Sequence, residues 1–120
     1  MFYPLIETKP KEEIKKWQES KLPDALQYLQ NNSKFYAELF FKNNIDVSKI
    51  KTIEDLSLIP FTTKDEVQLR NQDFICVDKS KIIDYVTTSG TLGEPVIVPL
   101  TDKDLERLAY NEAISFVCAG

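Results

Sequence analysis

The chain has 120 residues, 42% of them hydrophobic and 28% charged, with a net charge of −4 and no histidine. That composition excludes a disordered chain, and the absence of any basic run excludes the electrostatic footprint of a nucleic-acid binder. Without an imidazole, Ser-His-Asp and Cys-His nucleophile systems and most zinc sites are excluded as well.

In chain order, the PKEEIKKWQES stretch places Pro10 at a first helical turn, with Ile14 and Trp17 three apart on one face. Pro23 is expected to end or kink this helix before a second begins near Asp24, with Leu26 and Leu29 on its apolar side. After the break at Asn31-Asn32-Ser33, Ser33 is a good N-cap for a helix whose Tyr36, Leu39 and Phe40 form an apolar face and whose end is marked by Asn43-Asn44. TIED (Thr52 to Asp55) has the spacing of a capping box and predicts a short helix stopping at Pro60. TKDE (Thr63 to Glu66) predicts another, through about Asn71. Leu56, Leu58, Ile59 and Phe61 between them read as core. Trp17, Phe35, Tyr36, Phe40 and Phe41 read as core or packing surface, on burial preference, rather than as an aromatic ligand cage.

From Lys81 the character changes. KIIDYVTT and PVIVPL are rich in β-branched residues and flank SGTLGE, which predicts a hairpin around residues 82–100. TDKD (Thr101 to Asp104) then caps a final helix over about residues 102–118, whose Leu105, Leu108, Phe116 and Val117 have nothing obvious to cover them. Cys76 and Cys118 lie among apolar neighbours, as buried free thiols do, and neither has metal-ligand spacing. No apolar stretch approaches the roughly 20 residues that cross a bilayer. The opening MFYPLIETKP lacks the pattern of a secretory signal. A soluble cytoplasmic protein without membrane or nucleic-acid partners is expected. The fold class is α/β (α+β within this stretch), with residues 1–75 a helical segment and residues 76–120 a hairpin plus helix.

The chemistry-bearing stretch is Thr87-Thr88-Ser89-Gly90-Thr91-Leu92-Gly93-Glu94-Pro95. Two glycines three apart let backbone N–H groups approach an anion without Cβ obstruction. The hydroxyls of Thr88, Ser89 and Thr91 can donate to phosphate oxygens or meet a bound Mg²⁺. It is not a Walker loop, because a strand follows it where that motif requires a helix. The bland alternative is a hairpin turn that happens to be rich in Ser, Thr and Gly.

The loop resembles the phosphate-binding signature of the adenylate-forming superfamily of acyl-CoA synthetases, T-S-G-T-T-G-x-P, with Thr88, Ser89, Gly90, Thr91, Gly93 and Pro95 matching one by one. The order of SKFYAELF, TIEDLSLIPFTTKDEV, the loop and LTDKDLERLAYNEA is similar to the phenylacetate–CoA ligases, LIPFTTKDE (Leu58 to Glu66) especially. The resemblance covers the whole chain, as the amino-terminal portion of a longer protein that continues the adenylation domain. It implies ATP, Mg²⁺ and coenzyme A as cofactors, and a small-molecule carboxylic acid as substrate. The acid is adenylated with release of pyrophosphate and then passed to a thiol. Residues 88–93, Leu92 through its backbone amide, would grip the β- and γ-phosphates. Dimers are common among similar enzymes, so a homodimer is among the states implied.

By the same resemblance the acid pocket and the catalytic lysine lie beyond Gly120, so no catalytic and no metal-ligating residue is assigned here. Lys64 reads as a solvated helix start. Two departures stand out: Leu92 replaces a hydroxyl residue, and Glu94 occupies a position often basic in relatives. At ~4 Å in water, a carboxylate beside a phosphate costs about 1 kcal/mol. The contrasting expectation is a stand-alone, non-catalytic binding or interaction module built from the same fold.

Overall fold

The computed structural model describes residues 6–88 and 94–120. Helix α1, Lys11–Asn32, starts directly after Pro10, with Glu12 and Glu13 in its first turn, where carboxylates favour the helix dipole. It runs without interruption through Pro23, so the expected start of a second helix at Asp24 is not observed. A proline removes one i→i−4 hydrogen bond. Flanking turns and the packing of Leu22, Leu26 and Leu29 on the core hold the helix across that gap.

Ser33 is a one-residue hinge. Its amide still donates to Leu29 O of α1 at 2.9 Å, and its hydroxyl caps α2, Lys34–Lys42, by accepting from Tyr36 N. Asn43 ends α2, and Asn44 takes a left-handed φ of 54°, a conformation asparagine tolerates better than most residues. The core lies between α1, α2 and the turn that follows them. Leu26, Phe40, Val47 and Ile50 are buried there, with Tyr36, Ile45 and Ile59 packed around them. A second small cluster stacks Phe35 on Phe74 at 4.1 Å, with Tyr36 edge-on to Phe74 at 5.7 Å.

The 52–74 stretch winds back across this core. Thr52 and Asp55 exchange hydrogen bonds in the expected reciprocal manner, opening a 3-10 helix, Glu54–Leu58. Helix α3, Lys64–Leu69, has the full Thr63/Glu66 capping box and ends before Asn71, where a 3-10 turn, Asn71–Phe74, takes over. Several apolar residues expected in the core are not there. Leu58 and Phe61 are 64% and 96% exposed and Leu56 is exposed, so of the residues expected there between positions 56 and 61 only Ile59 joins the core; of the aromatics, Phe35 and Phe40 are buried, Phe41 is 86% exposed and Trp17 is half exposed.

Strand β1, Asp84–Thr87, pairs antiparallel with β2, Ile97–Leu100, in the register Tyr85↔Pro99 and Val86↔Val98. Pro99 is tolerated because β2 pairs on one side only among the described residues. Helix α4, Asp102–Ala119, is opened by the Thr101/Asp104 capping box. It is tied to the start of the chain by Tyr110, whose hydroxyl donates to the Glu7 carboxylate at 2.9 Å. Cys76 is half-buried and Cys118 exposed, so the expectation of two buried thiols holds only in part.

Candidate functional site

The candidate site is the connection between β1 and β2. Of its expected residues, Thr88 is described; Ser89, Gly90, Thr91, Leu92 and Gly93 lie outside the described residues. Both flanks of the connection are held. Thr88 N donates to Val96 O at 3.0 Å, and Val96 N donates to Thr88 Oγ1 at 3.0 Å. Thr88 therefore closes the base of the connection with both its backbone and its side chain. Its hydroxyl accepts there, which leaves the O–H proton to donate elsewhere. Val96 is buried, and Glu94 is exposed.

Two side-chain amides reach the exit limb from outside. Gln68 Nε2, on α3, donates to Glu94 O. Asn71 Nδ2 donates to Ile97 O at 3.0 Å. Between α3 and β2 a cleft of about 280 Å³ remains, lined by Val67, Asn71, Phe74, Ile75, Val96 and Pro99 among others. Sequence reasoning missed Gln68 and Asn71. Amides on a helix end read as ordinary surface until the strand they touch is placed.

The support behind them is charged. Arg70 donates through Nε to Asp73 at 2.8 Å and through Nη2 to Glu38 of α2 at 2.6 Å, and its guanidinium lies 5.2 Å from the Phe35 ring centroid. Its hydrogen bonds to the Asp73 and Glu38 carboxylates hold the Arg70 pKa above its ordinary value. Lys64, the first residue of α3, is exposed and reaches no part of this arrangement. Among the described residues, no group of three or more His, Cys, Asp or Glu side chains could hold a metal ion, and no helix is long and apolar enough to cross a membrane.

No protein-family model matches the chain. Along its full length it is 31% identical to the phenylacetate-coenzyme A ligase of Thermus thermophilus, of which it spans 27%. Over 96% of its length it is 27% identical to the phenylacetate-coenzyme A ligase of Escherichia coli, spanning 26% of that protein. Over 78% of its length it is 30% identical to protein CapK of Staphylococcus aureus, spanning 20% of it. Among solved structures, an open conformation of 2-hydroxyisobutyryl-CoA ligase in complex with 2-HIB-AMP and CoA matches with a TM-score of 0.74 at 23% identity, over 86% of this chain and 27% of that one.

The fold is thus that of the adenylate-forming CoA ligases. In sequence the chain is similar along its length to the phenylacetate-coenzyme A ligases, and it spans about a quarter of the length of the curated ones it matches.

Proposed function

We propose that the protein to which this chain belongs is an ATP-dependent carboxylic acid–CoA ligase, acting on phenylacetate or a similar acid. The observation that carries this reading is likeness to a phenylacetate-coenzyme A ligase along the entire chain, with the Ser/Thr/Gly stretch inside it. Residues 1–75 would form a helical entry segment, and residues 76–120 the beginning of the adenylation domain.

In such a reaction a carboxylate oxygen attacks the α-phosphorus of ATP, pyrophosphate leaves, and a thiol then displaces AMP from the acyl-adenylate. Charge develops on phosphate oxygens, so preorganised donors aimed at them lower the barrier. Thr88, Ser89, Gly90, Thr91, Leu92 and Gly93 would supply those donors as hydroxyls and backbone amides around the β- and γ-phosphates. Mg²⁺, when bound, would neutralise phosphate charge; the hydroxyls of Thr88, Ser89 and Thr91 fit it only alongside the phosphates' own oxygens. The base closure by Thr88 and Val96 supports the reading, because a grip made of neutral donors needs a fixed frame.

The test is carboxylate-dependent ATP–pyrophosphate exchange by the longest natural product of the gene beside the 120-residue chain, with phenylacetate, benzoate, 2-hydroxyisobutyrate and aliphatic acids. Exchange is expected from the long form, and Gly93→Val is expected to abolish it by placing a branched side chain where the backbone meets phosphate. A folded long form that exchanges with no acid overturns the reading and leaves a binding module.

A further inference from the structure

We propose that Gln68 and Asn71 are positioning residues that fix the exit limb of the phosphate-binding stretch against the helical half of the chain; this rests on the adenylation reading. The two amides project from the end of α3 and the start of the 3-10 turn, three residues apart, and meet two backbone carbonyls that are also three residues apart, Glu94 O and Ile97 O. The match of spacing makes them a two-point clasp on the limb. One point would leave the limb free to pivot; two fix both its position and its direction.

The clasp has a firm base. Arg70 sits between Gln68 and Asn71 in sequence and faces the opposite way, bound to Glu38 of α2 and to Asp73. The Asp73 carbonyl in turn accepts the buried Ser33 hydroxyl at 2.9 Å, and Phe74 stacks on buried Phe35. A line of direct contacts therefore runs from the core, through α2 and the Asn71–Phe74 turn, to the limb. Apolar packing at the same junction centres on buried Val96 and leaves a cleft of about 280 Å³ between α3 and β2. The two amide–carbonyl bonds bracket Val96 on either side and fix the limb where that packing is incomplete.

A phosphate grip is sensitive to such placement, since a shift of about 1 Å far from the chemistry can cost on the order of 100-fold in rate. The paired isosteric replacements Gln68→Glu and Asn71→Asp keep size and remove both donors. In the full-length enzyme the double variant is expected to raise KM for ATP about tenfold in the exchange assay. KM for the carboxylate and the thermal midpoint should stay within error of wild type. Gln68→Arg, which retains an N–H donor, is expected to recover most of the ATP affinity when introduced beside Asn71. A merely structural role predicts the opposite split: a lowered midpoint with KM for ATP unchanged, and that result overturns the clasp. Should the double variant fail to fold, Gln68→Met alone is read for the same split. A wild type that exchanges with no acid overturns the adenylation reading and the clasp together. An active wild type whose variants keep their KM for ATP overturns the clasp alone.

Discussion

Ser33 Oγ donates to the backbone carbonyl of Asp73 at 2.9 Å, joining positions 40 residues apart, while it accepts the Tyr36 amide at 3.2 Å. One hydroxyl thus caps α2 and pins the turn that follows α3. Ser33 is 1% exposed, so its hydroxyl has no access to water in place of these partners. Ser33→Ala is expected to cost about 2 kcal/mol, the usual penalty for leaving a buried donor and acceptor unpaired. Denaturant unfolding should show a lower midpoint with an unchanged slope. A loss of a few tenths of a kcal/mol would mean that the Asp73 carbonyl finds another donor.

The N-termini of α3 and α4 make stability fall in acid. Backbone amides of Thr63 and Thr101 donate to the Glu66 and Asp104 carboxylates and hold both pKa values below the ordinary carboxylate range. A carboxyl whose folded pKa lies below its unfolded one stabilises the fold fully above the unfolded value, near ~4, and that stabilisation is lost as pH falls through the folded value. Thermal melts between pH 7 and 2.5 are therefore expected to show a declining midpoint below about pH 4. Asp104→Asn should flatten part of that decline, and Thr101→Ala should cost about 1 kcal/mol at neutral pH. An Asp104→Asn profile as steep as wild type would assign the acid sensitivity elsewhere.

What was legible in the sequence was whatever local chemistry decides. The Ser33, Thr63 and Thr101 caps, the Asn43-Asn44 stop, and the hairpin signalled by β-branched runs on either side of two glycines all stand where the residues place them, within one or two positions. Burial was less legible. Leu58, Phe61 and Phe41 have the composition of core and the exposure of surface, because an apolar side chain does not reveal whether its partner is close at hand. Pro23 misled for the reverse reason: tertiary packing of Leu22, Leu26 and Leu29 overrides one missing backbone bond. At the site, the Ser/Thr/Gly stretch was visible as a motif. The Gln68 and Asn71 contacts were not, since they join positions 26 residues apart with no pattern between them.

The two thiols should separate by reactivity. Cys118 is exposed on the last turn of α4. Cys76 is half-buried; burial pushes its thiol above the ordinary value, only partly offset by the Ser33 hydroxyl, and its Sγ lies 3.5 Å from Phe74 O. Since the thiolate is the reactive form, alkylation at pH 7.5 followed by mass spectrometry is expected to label Cys118 at least tenfold faster than Cys76. Equal rates would mean that the region around Phe74 opens readily in solution.

The hairpin and α4 expose apolar groups on adjoining surfaces. Tyr85 is 58% exposed, Val86 50%, Val98 42%, Leu108 49% and Phe116 76%. A two-stranded sheet is marginal by itself, and its open edges are templates for further pairing. The 120-residue chain alone is therefore expected to self-associate, its sedimentation coefficient rising with concentration over the micromolar range. Val86→Lys, on β1, should suppress this by placing a charge where a second strand or apolar face would dock, without touching the core around Phe40. A monomer at every concentration, with a sharp and concentration-independent thermal transition, would show that the core around Leu26, Phe40, Val47 and Ile50 holds the chain together without covering those surfaces.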